Sequence, residues 1–163
     1  MVTHPAERQD WRPYMDLLIR PYIDADLDAL VTLWRDSWIS TGVPAAKTVP
    51  LSALRARLPQ EIAAGWDVHV AMVDSELVGF LALKGDQLDQ LFIEPAWQGQ
   101  GIGKRLLDFV KAERPAGFWL VTAAESRAPR FYEREGLVRG TISVHPRFAH
   151  AMVRYDWPAD HRP

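Results

Sequence analysis

The sequence predicts a single α/β domain, a mixed and mostly antiparallel sheet of about seven strands flanked by four helices. Three observations carry this. The chain has 163 residues, the size of one domain with a substantial core. Strand-like runs precede and follow helical stretches without strict alternation, which excludes an all-parallel sheet. Phe118-Trp119-Leu120-Val121-Thr122-Ala123 is a continuous apolar run, as expected of a central strand buried on both faces.

The elements follow in order. Residues 1–14 are polar, with two prolines, and are expected to be a mobile leader before one domain over residues 15–163. Met15 to Arg20 is an expected first strand, stopped by Pro21. Asp24 then offers an N-cap to a helix through about Ser40, with Leu27, Leu30, Val31, Trp34 and Trp38 on one stripe. The segment Thr41-Gly42-Val43-Pro44 ends it. A second helix puts Leu51, Leu54, Leu58 and Ile62 on one face, and Pro59 predicts a kink or two short helices. Asp67 to Val73 and Glu76 to Leu83 read as strands joined by the polar pair Asp74-Ser75, a hairpin turn. Lys84-Gly85-Asp86 is another turn, and Leu88 to Ile93 a short strand ended by Pro95. A glycine cluster opens a helix from about Gly101 to Arg114, halted by Pro115. After the apolar run comes a helix from about Arg127 to Glu135, closed by Gly136. Leu137 to Val144 and His150 to Asp156 complete the sheet.

Composition narrows the function classes. Nineteen Lys and Arg against twenty-one Asp and Glu give a net charge of -2, which offers no electrostatic case for nucleic acid or an anionic membrane. There is no cysteine, so disulfides, thiolate metal sites and a Cys nucleophile are excluded, and no metal is expected. No window reaches the length of a membrane span, and the first residues lack a signal-peptide pattern. A cytoplasmic protein is expected.

The chemistry is expected at Gln98-Gly99-Gln100-Gly101-Ile102-Gly103, a glycine-rich turn between a strand and a helix. Backbone N–H groups in a helix's first turn lack partners and meet the positive end of its dipole, so anions bind there. Glycines keep side chains out of a phosphate's way. A dinucleotide fingerprint fails because Lys104 follows Gly103. A nucleotide-triphosphate loop fails because the upstream glycine is missing and Arg105 stands where Ser or Thr is needed. A tight turn whose glycines serve geometry alone is the other reading.

The segment Leu91 to Gly103 resembles the acetyl-CoA signature of the GNAT superfamily of N-acetyltransferases. Gln98, Gly101 and Gly103 occupy its fixed positions. A second family segment is similar to Ala128 to Leu137, with Phe131-Tyr132 and Gly136 in place. The resemblance covers about Leu17 to Tyr155 in element order. It implies that the two central parallel strands, Leu88–Ile93 and Phe118–Ala123, splay to hold the pantetheine arm. Leu91, Phe92 and Ile93 would contact it, and an N–H of Phe92 or Ile93 would polarise the thioester carbonyl. The backbone from Gly99 to Lys104 would hold the pyrophosphate, with Lys104 and Arg105 as candidate added charge. Ser126 and Phe131 would complete the cofactor site. Glu125 stands where the family usually has an Asn that bonds the pantetheine.

What the resemblance implies is acetyl transfer from acetyl-CoA to an amine of a small molecule or peptide. Tyr132 matches the family's general acid, and Asp89 is the first candidate for the base, with Glu94 and His145 as others. His69 reads as core. The acceptor site would draw on the first two helices and the last strands, with Trp38 and the Thr41–Thr48 loop as candidates, Trp34 as core, and Asp26 and Asp36 as carboxylates able to attract a cation. A homodimer is compatible with this reading. The alternatives are a non-catalytic acyl-CoA-binding sensor and a toxin-type or protein-modifying acetyltransferase.

Overall fold

The computed structural model describes residues 16–158. The expected leader, residues 1–14, and Met15, the expected start of the first strand, lie outside the described residues. The elements are β1 (Leu17–Pro21), α1 (Leu27–Ser40), α2 (Leu51–Ala63), β2 (Asp67–Val73), β3 (Glu76–Lys84), β4 (Gln87–Ile93), α3 (Ile102–Glu113), β5 (Phe118–Ala123), α4 (Ala128–Arg134), β6 (Val138–Val144) and β7 (Ala151–Trp157). Short 3-10 turns at Asp24–Asp26, Pro44–Thr48 and Pro95–Trp97 join some of them. The seven strands form one sheet in the order β1-β2-β3-β4-β5-β7-β6. Among the described residues only β4 and β5 run parallel; the other pairs are antiparallel.

The sheet has a core on each face. Leu30, Trp34, Leu54 and Leu58 from α1 and α2 pack with Trp66 and Phe80. On the other face Leu106, Leu107 and Val110 of α3 pack with Leu81, Leu120 and Tyr132. The Trp34 ring meets Trp66 and Phe80 at centroid separations of 5.7 and 5.8 Å, tilted and edge-on, the arrangements aromatic quadrupoles favour.

Local chemistry explains where the structure departs from expectation. Asp24 does not cap α1. The carboxylate of Asp26 accepts the Ile23 N–H at 2.9 Å and a two-pronged bond from Arg20, each prong 2.9 Å. Asp26 is thereby spent on the fold and is not free to attract a cationic acceptor. The Arg20 guanidinium and the Ile23 N–H hold its carboxyl below the usual carboxylate range, against the opposing effect of burial. A lowered folded-state pKa adds stability that is present above the unfolded value, about 3.9, and is lost as pH falls through the folded value. Asp26→Asn is therefore expected to cost about 1–3 kcal/mol near neutral pH and much less at pH 2, read from denaturant melts at both.

Helix α2 is continuous through Pro59. Pro59 and Arg55 are both exposed, so the carbonyl that Pro59 leaves without an N–H faces water, while Leu54 and Leu58 stay fully buried. Leu51, at the open end of the helix, is 41% exposed rather than core. The Asp74-Ser75 hairpin forms with Asp74 at φ 55, a left-handed conformation that aspartate tolerates. Strand β5 is buried at Phe118 and Leu120; Val121, Thr122 and Ala123 border an open cleft, and Trp119 lies under the Arg154 guanidinium.

Candidate active site in the split between the parallel strands

Strands β4 and β5 are paired at Gln87↔Trp119, and Trp119 N–H donates to Asp86 O at 3.0 Å. Among the described residues no pairing continues past that point, so the strands splay toward Ile93 and Ala123. The β5-facing edge of β4 is thus left with unpaired amides. Register says which ones. Glu94 N–H donates to Val78 O at 2.9 Å, and Phe92 stands opposite Phe80. Antiparallel pairs alternate, so Phe92 turns its amide and carbonyl toward β3, whereas Leu91 and Ile93 turn theirs toward the split. Ile93 N–H is therefore the group available to a ligand, and Phe92 contributes through its ring.

The carbonyl of Ile93 is gripped from outside the sheet. Ser37 Oγ donates to it at 2.6 Å and Gln98 Nε2 at 3.0 Å. Gln98 also reaches Ser40 Oγ at 3.3 Å, and its own oxygen accepts from Arg127 at 2.9 Å. Gln98 is a brace that ties the end of β4 to α1 and to the start of α4. Ser37 was not singled out from the sequence. Its signal was there, one turn beyond Leu33 and Trp34 and two beyond Leu30 on the buried face of α1, where a polar residue needs a partner.

The glycine turn follows. Gly99 and Gly101 take φ 78 and 84, and an added Cβ at either would meet nothing within 4 Å; backbone conformation, not space, requires glycine there. Gly103 differs. A Cβ on it would lie 3.4 Å from the Phe131 ring, in van der Waals contact, so α3 packs closely on Phe131 at this position. Gly101 caps α3 with no side-chain bond, and the first intrahelical bond is Arg105 N–H to Gly101 O. The N–H groups of Ile102, Gly103 and Lys104 precede it and open an anion site of backbone donors. The Gln100 side chain is buried, its Oε1 has no partner among the described residues, and it does not line the cleft. The Ile102 side chain is core.

Lys104 lines the cleft with its ammonium paired to carboxylates. Its ammonium is bonded to Glu135 at 3.2 Å and lies 3.4 Å from Asp108, and these partners raise its pKa, Glu135 first. Arg105 is exposed off the cleft wall. Arg127, Arg130 and Arg134, at the start and along one side of α4, line the cleft as Lys104 does. Ser126 lines the cleft, accepts Ala128 N–H at 3.2 Å and so starts α4, while Glu125 is exposed off the wall.

Tyr132 is 6% exposed and lines the cleft. Its ring packs on Phe131 and Tyr155 at 5.1 and 5.9 Å. Burial pushes its hydroxyl well above the ordinary tyrosine pKa, and among the described residues that hydroxyl has no hydrogen-bond partner. Asp89 lines the same cleft, and its Oδ2 accepts Trp66 Nε1–H at 2.8 Å. Glu94 accepts the Ala96 N–H at 3.0 Å and caps the turn after β4. The cleft encloses about 1350 Å³, more than a pocket for one drug-sized molecule, leaving room for two substrates.

Part of the cleft wall is aromatic. Trp38 faces Phe148 at 5.9 Å, and His145 lies 4.9 Å from Phe148 and 5.0 Å from His150. His145 Nδ1 accepts the N–H groups of Arg147 and Phe148, both at 3.0 Å. That assigns the proton of the neutral ring to Nε2, which then donates and cannot act as a base. Burial first, then His150, Arg147 and Arg57, lower its pKa. Phe148, His150 and Arg57 escaped sequence reading, since nothing local marks them. Thr41 and Val43 of the following loop reach the cleft; Asp36 does not. His69 sits at the core's edge against Phe109.

Known proteins resemble this arrangement. Residues 64–138 match the family model described as an acetyltransferase (GNAT) domain. The chain is 33% identical over 114 residues to a peptidyl-lysine N-acetyltransferase, YjaB, of Salmonella typhimurium, covering 67% of this chain and 74% of that protein. The solution structure of apo YjaB from Escherichia coli superposes with a TM-score of 0.69 at 22% identity, over 88% of this chain and 99% of the other. A Thermoplasma acidophilum PaiA N-acetyltransferase solved with coenzyme A gives 0.64 at 21%, over 86% and 98%. The fold and the family match define an acetyl-CoA-dependent acyltransferase. The chain belongs to the GNAT family of N-acetyltransferases.

Proposed function

We propose that this protein moves the acetyl group of acetyl-CoA to a primary amine of a small molecule or peptide, by direct attack of the amine on the thioester. The observation that carries the proposal is the split between β4 and β5, with the N–H of Ile93 turned toward it on one side and Tyr132 lining the same cleft. Leu91 and Ile93 pair with the pantetheine arm, Ser126 and the Phe131 ring flank it, and backbone N–H groups between Gly99 and Lys104 hold the pyrophosphate. Ile93 N–H bonds the thioester oxygen and stabilises the negative charge that grows there.

An alkylammonium has a pKa of roughly 10 and must lose a proton before it attacks. Asp89 takes that proton, directly or through water, with the oxygen that Trp66 does not occupy. The new C–N bond forms, the C–S bond breaks, the bonded nitrogen sheds its remaining extra proton, the departing sulfur gains one, and Tyr132 donates a hydrogen bond to that sulfur as its charge grows. The name of the Salmonella relative supports an amine acceptor. A non-catalytic acyl-CoA sensor drew its support from Glu125, which lies off the cleft.

The test is thiol release from acetyl-CoA across a panel of amines. Amine-dependent release is expected; acetyl-CoA binding with no release from any amine would establish the sensor instead. In the same assay Asp89→Asn keeps an oxygen for Trp66 but removes the base, so kcat/KM should fall about 100-fold with acetyl-CoA affinity unchanged. An unchanged rate would remove Asp89 from the mechanism.

A further inference from the structure

The cleft's charge is unlike the chain's. Five Lys or Arg residues line it against two acids, Asp89 and Glu135, in a protein whose net charge is -2. Glu135 is bonded to Lys104 and Asp89 to Trp66, so no cluster of carboxylates is left to hold a polycation. Four of the five cations belong to α3, α4 or the residue just before α4. The fifth, Arg57, comes from α2 and stands apart.

Arg57 is held in one pose from three sides. Its guanidinium lies over the Trp34 ring at 5.3 Å and the Trp66 ring at 5.6 Å. Its Nε donates to Glu61 Oε2 at 2.9 Å. The two terminal nitrogens have no acceptor among the described residues, and the residue lines the cleft. A stacked, braced guanidinium with its fork free matches a carboxylate's two oxygens and has little conformational freedom left to lose. Arg57 is also near enough to His145 to oppose its protonation, and His145 touches Phe148, which faces Trp38. The fork and the aromatic rings therefore line the same cleft.

We propose that Arg57 anchors a carboxylate on the acceptor, so that the acceptor is an aromatic amino acid or a close analogue, with its amine presented to the thioester and its ring among Trp38 and Phe148. The inference rests on the transferase reading above and adds the acceptor class to it.

The test compares phenylalanine and tryptophan with their carboxamides and with phenethylamine and tryptamine, each rate taken per unprotonated amine. The acids should show a kcat/KM about 10- to 100-fold above their amides and decarboxylated amines, carried in KM. Arg57→Gln should raise the KM of the acids by that factor, leave their kcat, and leave the amides unchanged. Arg57→Lys keeps a charge over the two indoles but loses the fork, and should fall between. Equal rates for acids and amides in the wild type would overturn the inference, as would an Arg57→Gln loss shared equally by both, which a structural role would give. Calorimetry on the same preparation separates the two readings. Acetyl-CoA binding with turnover of amides but not acids sinks the carboxylate anchor alone, and failure to bind acetyl-CoA sinks the transferase reading with it.

Discussion

Gly101→Glu is expected to weaken acetyl-CoA binding by at least about 100-fold in calorimetry, the equivalent of roughly 3 kcal/mol. Two independent costs combine. Gly101 sits at φ 84, where a Cβ costs about 1–2 kcal/mol. A carboxylate brought within about 5 Å of a phosphate charge adds on the order of 3 kcal/mol at an effective dielectric near 20. The control is Gly101→Ala. A Cβ there meets nothing within 4 Å, so alanine carries the backbone strain without steric overlap or charge. It should lower the melting temperature by a few degrees and affinity by about tenfold or less. If the glutamate variant binds like the wild type, the pyrophosphate does not sit at this turn. If alanine and glutamate lose affinity equally, the turn matters for conformation and the anion site lies elsewhere.

The limits of sequence reading follow physical range. Element order was legible because period and punctuation are local: the stripe through Leu30 and Trp34, the turn at Asp74-Ser75 and the stops at Pro21 and Pro115 each need only a few neighbouring residues. The glycine turn was legible for the same reason, since φ values at Gly99 and Gly101 are properties of single residues. What stayed hidden depends on distant pairing. Whether Phe92 or Ile93 offers its N–H to the split is set by the register with β3, through Glu94 and Val78. Asp26 could not be known as Arg20's partner, nor Lys104 as Glu135's, because the pairs form across turns and helices. The acceptor end was least legible. It is assembled from α1, α2 and the connection between β6 and β7, and residues such as Arg57 and Phe148 acquire meaning only when those elements meet.

Tyr132→Phe is expected to lower kcat about 10- to 100-fold while acetyl-CoA affinity stays within about twofold, the worth of one hydrogen bond to a developing charge. Phenylalanine keeps the ring packed on Phe131 and Tyr155, so the fold should be undisturbed. The burial that raises the Tyr132 pKa also refines its role. A thiol's pKa is about 8.5, so complete transfer of a proton from this tyrosine to the leaving thiolate would run uphill. The hydroxyl acts by donating a strong hydrogen bond while charge grows on sulfur, and the sulfur takes its final proton from solvent or from the attacking nitrogen as it becomes the amide. The sign of the shift makes this testable. A pKa raised in the folded state leaves the hydroxyl protonated through neutral and moderately alkaline pH, and the stability linked to it is lost only above about pH 10. Tyr132→Phe should therefore depress the pH–rate profile uniformly without changing its shape. Loss of an alkaline limb in the variant would show that Tyr132 titrates during turnover, and an unchanged kcat would remove it from the reaction.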